Sequence, residues 1–510
     1  MLKTLILDFG SQYTQLIARK VRELGVYSEI VPFSASASRI KKEEPGALIL
    51  SGGPQSVTAR GAPLPDPNIF GLGLPVLGIC YGLQLMGRML RGRVAPSPKR
   101  EYGFARLGVL DRGSLLRGVR AGSPVWMSHG DKLEEAPPGF QVTGGTENAR
   151  LAVIEDRGRR FFGVQFHPEV IHTRDGMKIL SNFLFRIAGL KADWSLGSFI
   201  ERQVEDIRRR VGKERVVCGL SGGVDSLVTA LLIHRAVGDR LTCVFVDNGL
   251  LRKDEFGRLM DRFRRKLRLK IVGVDASDRF LRALRGVASP ERKRKIIGRV
   301  FIDIFEREAR RLGRVRFLAQ GTIYPDVIES RPVRGPSSTI KSHHNVGGLP
   351  RGLRFELVEP LRELFKDEVR SLGLRLGVDR EFILQHPFPG PGLAVRTLGE
   401  VTRESLEILR EADDIVLQEV RRAGLYRRLW QAFAVLLPVR SVGVMGDQRT
   451  YQRVVVVRLV RSTDGMTADW HPASPAFLAR LSTRIVNEVA GVNRVVYDIT
   501  TKPPGTIEWE

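Results

Sequence analysis

The sequence predicts an α/β protein: two doubly wound domains with mostly parallel sheets, followed by a smaller α+β domain. Three observations predict it. The chain has 510 residues, 43% of them hydrophobic, enough apolar material for several cores rather than one. Short apolar runs alternate with segments of helical period from the N-terminus, and the alternation restarts after residue 213, the pattern of βαβ units. At His386 the texture turns to HPFPGPGLAV, whose prolines and glycines exclude a regular helix or central strand.

The first domain, residues 1–190, opens on the strand TLILDF, continues through the helical YTQLIARKVRELG, and returns to strand at ALILSGG. PVLGIC then leads into the helix YGLQLMGRMLRG. A polar, amphipathic stretch over 192–213 follows, which places the linker near 190. The second domain, 191–385, has strands at RVVCGL, RLTCVFVDNGLL and RFLAQGT and a helix at RVFIDIFEREARRLG. The third, 386–510, has strands at QRVVVVRLV and NRVVYDIT and the amphipathic helix PAFLARLSTRIVNEVAG.

Composition excludes several classes of protein. No run of about 18 apolar residues occurs, so no membrane-spanning helix is expected. MLKTLILDFG enters a strand pattern without the features of a secretory signal. The three cysteines, Cys80, Cys218 and Cys243, form no Cys-x-x-Cys pair, which fits a reducing compartment and an expected cytoplasmic location. The 82 Lys and Arg against 56 Asp and Glu leave +26, and residues 251–300 alone hold 17 basic against 6 acidic residues. Such a field attracts polyanions and small phosphorylated substrates alike. Without an RNA-binding motif, the basic residues read as a solvated face and no dedicated nucleic-acid partner is expected.

Two junctions carry chemistry. In Gly78-Ile79-Cys80-Tyr81-Gly82 a cysteine sits between an apolar strand and a helix. A nucleophile there needs small neighbours because the turn is tight, and a helix N-terminus favours a thiolate. Alone the pattern has moderate weight, since a lone cysteine is more often structural. Gln165-Phe166-His167-Pro168-Glu169 shifts the balance: His167 at a strand end, with Glu169 two residues on, supplies a base and its orienting carboxylate. The turn Ser51-Gly52-Gly53-Pro54 offers backbone N–H groups to an oxyanion. At the second junction Ser221, Gly222, Gly223, Val224, Asp225 and Ser226 lie between the strand RVVCGL and a helix, a loop suited to phosphates. It lacks the Gly-Lys-[Ser/Thr] ending of a Walker A loop, so transfer of a γ-phosphate is not implied. Asp225 is a carboxylate suited to a hard cation such as Mg²⁺ beside phosphates.

GICYG, SGGP, SHGD at 128–131 and QFHPE occur in the order found in class I glutamine amidotransferases, and they resemble that family. The resemblance implies that Cys80 attacks the glutamine amide, His167 shuttles the proton and Glu169 orients His167. Gln84, Ser128, His129 and Gly130 then hold the glutamine, with His129 in the substrate wall rather than acting as a second base. SGGVDS resembles the pyrophosphate loop of N-type ATP pyrophosphatases, which implies adenylation of a substrate oxygen, with Val246 of VDNG beside the adenosine. The two sites together imply an amide- or amidine-forming ligase and leave its acceptor open among nucleotides and RNA bases.

The remaining segments resemble the glutamine-hydrolysing GMP synthetase family over the whole chain. They are TIYPDVIES from Thr322, TIKSHHNVGG from Thr339, HPFPGPG, SVGVMGDQRTY, GMTADW and the ending YDITTKPPGTIEWE. This implies XMP as acceptor beside ATP and glutamine, Mg²⁺ with the ATP, and a homodimer formed through the C-terminal domain. It places Lys341, His343 and His344 in a catalytic segment that closes over ATP and XMP; Asp326 and Glu329, three apart and on one face of a helix, are expected at the ATP site, orienting that segment or binding Mg²⁺. It also makes Arg294, Gln431, Arg480, Arg494, Lys502, Ile507 and Glu508 the XMP contacts. Gln385 stands where the family pattern has an arginine.

Overall fold

The structure, a computed structural model, describes residues 2–330, 355–462, 465 and 467–510. Their contacts form two compact units, one built on residues 1–199 and the other on 200–510, apart from a short stretch starting at Val327 that groups with the first.

The first unit carries β1 (Thr4–Asp8), β2 (Ser28–Pro32), β3 (Ala47–Leu50), β4 (Val76–Ile79), β5 (Arg93–Val109), β6 (Ser123–Glu135), β7 (Gln141–Gly145), β8 (Val153–Asp156) and β9 (Phe161–Val164) in one sheet, ordered β2-β1-β3-β4-β9-β8-β7-β5-β6 among the described residues. The first five in that order run parallel. β1, β3 and β4 are nearly continuous, buried apolar runs, as expected of parallel strands covered on both faces. The other four extend the sheet antiparallel, an extension that the reading of a mostly parallel sheet lacked. Leu7, Leu48, Leu50, Val76, Leu85 and Met86 share one core. Trp194 stacks near Tyr27 at 4.8 Å and its N–H donates to Gly25 O at 2.9 Å, so residues beyond the expected linker at 190 still pack on this unit.

The second unit carries the parallel sheet β12-β11-β10-β13-β14, built from β10 (Val216–Leu220), β11 (Leu241–Asp247), β12 (Ile271–Asp275), β13 (Phe317–Ala319) and β14 (Glu356–Val358). A second sheet pairs β15 (Gln431–Met445), β16 (Gln448–Arg461) and β17 (Asp469–Trp470), with β18 (Val492–Tyr497) parallel to β16. The α/β class holds in both units. The two sheets of the second unit share a core: Val217 and Val244 from one, Leu436, Val455 and Val457 from the other, joined through Leu406, Leu409 and Val416 of the helix Arg403–Arg422. That helix buries one broad apolar face, wide enough to pack on both sheets, which lets the segment after His386 fuse with the preceding one. No helix among the described residues is long and apolar enough to cross a membrane.

Candidate active sites

Cys80 and His167 emerge side by side because their strands do. β4 and β9 are parallel neighbours in register Ile79↔Val164, so the residues just past each strand leave the same edge of the sheet. Cys80 N–H extends the ladder to Val164 O at 2.7 Å. The backbone then turns sharply, with Cys80 at φ +54° and ψ −105°, a region where a non-glycine residue is strained. The strain is held by close packing on both sides. A Cβ on Gly78 would lie 2.6 Å from the backbone of Gly82, and one on Gly82 only 2.3 Å from Leu50 O. Gly82→Ala is therefore expected to cost at least about 3 kcal/mol of stability or prevent folding; an unchanged melting temperature would contradict the close approach.

The imidazole of His167 is fixed at its far nitrogen by Glu169, with Nδ1 and Oε1 2.7 Å apart and both residues buried. His167 O accepts the Thr173 hydroxyl at 2.6 Å, and its N–H donates to Trp126 O at 3.0 Å. Tyr13 meets the ring edge-on, with centroids 4.9 Å apart. Burial alone would depress the imidazole, but the Glu169 carboxylate and the Cys80 sulfur outweigh it and hold the ring well above the ordinary histidine range. Glu169→Gln removes the largest raising influence, so the imidazolium deprotonates at lower pH. The alkaline limb of the pH profile for glutamine hydrolysis is expected to move down by about one unit or more; a limb that stays in place would show that Glu169 does not set this titration.

The other first-domain residues gather around the sulfur. The Cys80 thiol points to Ser128 O at 3.5 Å, and Gln165 Nε2 lies 3.8 Å from it. Gln84 Nε2 donates to Asp131 O at 2.8 Å, tying the helix Tyr81–Met89 to β6. A Cβ on Gly52 would meet His167 Cε1 at 3.2 Å and one on Gly53 would meet Tyr81 at 3.1 Å, so this turn lies against His167 and the start of the helix that follows Cys80. Gly130 has open space where its side chain would be. His129 bonds Asp131 O through Nδ1 at 2.9 Å and faces Glu101 at 3.3 Å. Burial pushes its pKa below the ordinary range and Glu101 offsets this only in part, which suits a neutral wall residue. The sequence reading missed Tyr13 and Glu101, which meet their partners across tens of residues, and Thr173, whose hydroxyl bonds back to His167 O six residues earlier.

The loop Ser221–Ser226 leaves the carboxyl end of β10, which borders β11 on one side and β13 on the other. The strand order reverses there, and a crevice at such a switch point is where α/β sheets bind nucleotides. Gly222 has φ +80°, and the loop is closed by its own hydroxyls, with Ser221 and Ser226 Oγ 3.0 Å apart and Ser226 bonding Gly223 O at 3.1 Å. Val224 begins the helix Val224–Val237, whose N-terminus adds positive potential. Asp225 Oδ2 receives Lys366 Nζ at 2.5 Å, while its buried Oδ1 has no hydrogen-bond partner among the described residues. Lys366 escaped the sequence reading because 141 residues separate it from Asp225. Val246 is buried at the end of β11, and Asp247 just beyond it has its carboxyl raised by burial. Asp326 caps its own helix start, accepting Ile323 N–H at 2.9 Å.

The residues read as acceptor contacts fall into two groups. Glu508 accepts Arg396 and Gln431, Ile507 O accepts Arg458 Nε at 3.0 Å, and Arg294 bonds Glu510 O. These bring the tail against the helix Pro290–Arg311 and β15. Lys502 lies further along the tail, with Nζ donating to Gly465 O at 2.7 Å. Arg480 pairs with Glu419 at 2.6 Å on the helix Pro475–Glu488, and Arg494 is exposed on β18. Lys341, His343 and His344 lie outside the described residues, as does the side chain of Glu329.

Family models match three stretches: "Glutamine amidotransferase class-I" over residues 5–187, "NAD synthase" over 196–259 and "GMP synthase C terminal domain" over 418–509. A relative from Chlorobium luteolum described as "GMP synthase [glutamine-hydrolyzing]" is 57% identical over 518 residues, covering 100% of each chain. The chain belongs to the glutamine-hydrolysing GMP synthase family. Relatives of the same description from Chlorobaculum tepidum and Rhizobium etli are each 58% identical, covering 99% of this chain and 98% of theirs. The match to these relatives extends over essentially the whole chain.

Proposed function

We propose that the chain forms GMP from XMP, with ATP cleaved to AMP and pyrophosphate and ammonia drawn from glutamine. The observation that carries this is the presence, in one chain of the GMP synthase family, of a strained Cys80 beside the His167–Glu169 pair and of a serine- and glycine-rich loop at the switch point of a second sheet. At the first site the Cys80 sulfur bonds to the glutamine carbonyl carbon, His167 gives its proton to the leaving nitrogen, and ammonia departs. Water then cleaves the thioester with His167 as base, returning glutamate. Glu169 keeps the imidazole in the orientation both steps need. At the second site the XMP carbonyl oxygen attacks the α-phosphorus of ATP, pyrophosphate leaves into the 221–226 cradle, and ammonia displaces AMP.

Mg²⁺ fits the second site, since the unpartnered Asp225 Oδ1 is a hard oxygen ligand and Mg²⁺ is commonly held by one or two carboxylates plus phosphates and water. Bound there, it would neutralise phosphate charge. We assign the amidotransferase role to residues 1–190, adenylation to 191–385, and XMP binding and dimerisation to 386–510. A homodimer in the cytoplasm is part of the same reading. The exposed Val439, Val442, Val444 and Tyr451 on the β15–β16 hairpin support it, and so do three cysteines that are all free. Incubation with XMP, ATP, Mg²⁺ and glutamine is expected to yield AMP, pyrophosphate, GMP and glutamate in equal amounts. Pyrophosphate release that requires an acceptor other than XMP would refute the assignment.

A further inference from the structure

We propose that Arg396 is a positioning residue for the acceptor nucleotide, holding the Glu508 carboxylate in the geometry that the nucleotide meets. This rests on the reading of the tail as part of the XMP site. Arg396 is wholly buried and donates through Nε and Nη2 to the two oxygens of Glu508 at 3.0 and 2.9 Å. The fork is locked in plane by the rings of Phe433 and Phe388, 4.2 and 5.3 Å from the guanidinium carbon. Gln431 Nε2 adds a third donor to Oε1 at 2.7 Å while also holding Pro387 O at 2.8 Å. A carboxylate accepts about four hydrogen bonds, so among the described residues one direction remains, on Oε2. Glu508 keeps part of its side chain open to solvent. The free lone pair is therefore aimed, and it suits an O–H or N–H donor such as a ribose hydroxyl or a purine N–H.

The same guanidinium faces the adenylation loops. Arg396 Nη1 is 3.9 Å from Asp413 Oδ1, and Asp413 Oδ2 is 3.2 Å from Nε of Arg252. Arg252 follows the loop at the carboxyl end of β11, and Gly392 of the connector packs on that loop at Leu250. A buried charge chain is poor evidence of stability, because apolar replacements of such chains are often at least as stable. Its value here is geometric: ion-pair contacts at Asp413 run from the guanidinium that holds the tail carboxylate to Arg252, just past the loop that follows β11.

The test is a two-by-two set of variants, Arg396→Lys, Glu508→Gln and their combination, assayed for KM and kcat with XMP at saturating ATP and ammonium. Each single change is expected to raise KM for XMP at least about tenfold, with kcat at saturation changed by less than about threefold. The combination is expected to be no worse than the poorer single, because Arg396 acts through Glu508. Multiplying effects would assign Arg396 a merely structural role and overturn the proposal. If Arg396→Lys does not fold, Glu508→Asp decides: it keeps the charge but withdraws the carboxylate from the fork, and a parental KM for XMP overturns the proposal. An unchanged KM in Glu508→Gln removes the tail from the XMP site itself, and the proposal falls with that reading. A raised KM in Glu508→Gln with a parental KM in Arg396→Lys overturns the positioning role alone.

Discussion

Cys80→Ala is expected to lower glutamine-dependent GMP formation by at least about a thousandfold, while turnover with a high concentration of ammonium stays within about twofold of the parent. The asymmetry follows from where the sulfur lies. It sits in the first unit, on the turn between β4 and the helix Tyr81–Met89, where its neighbours are Ser128 O, Gln165 and His167. None of these belongs to the phosphate loop at 221–226, which leaves a different sheet. Alanine keeps the small volume needed between Gly78 and Gly82 and deletes only the nucleophile. Amination is followed by the loss of XMP absorbance with each nitrogen source. Loss of both activities would show that Cys80 serves more than glutamine hydrolysis.

Asp225→Ala is expected to reduce pyrophosphate release by at least about a hundredfold with glutamine and with ammonium alike. Adenylation precedes amination, so the nitrogen source cannot rescue it. The carboxylate does two things in the structure: it holds Lys366 Nζ at 2.5 Å and keeps a second, buried oxygen that has no hydrogen-bond partner among the described residues. Alanine leaves Lys366 without its anion and removes the hard oxygen available to a cation. Asp225→Asn, which preserves shape, separates charge from packing and is expected to fail nearly as badly. Parental turnover of Asp225→Ala on ammonium would place the phosphates elsewhere.

Local pattern made much of this legible. The glycines at 78 and 82 announced a tight strand-to-helix turn, and the backbone there has the close approaches that forbid a Cβ. The serines and glycines of 221–226 announced a loop between strand and helix, and that loop stands at the switch point of a parallel sheet. The antiparallel half of the first sheet was harder. β5 carries two prolines and pairs with β6 through two register irregularities, so its alternation is broken where a strand reading needs it. The shared core of the second unit was also invisible, because HPFPGPG reads as a boundary even though Gly392 packs tightly on Leu250.

The order of amino acids settled the elements, the two reactive junctions and the residue types at each, since turns, strand ends and helix starts depend on a few neighbouring side chains. It could not settle which distant groups complete those junctions. Lys366 at Asp225, Glu101 at His129 and Arg396 at Glu508 meet only when separate segments are folded against one another. Periodicity says which face of an element is buried but not what it will be buried against. The partners of a charge are fixed by packing across the whole chain.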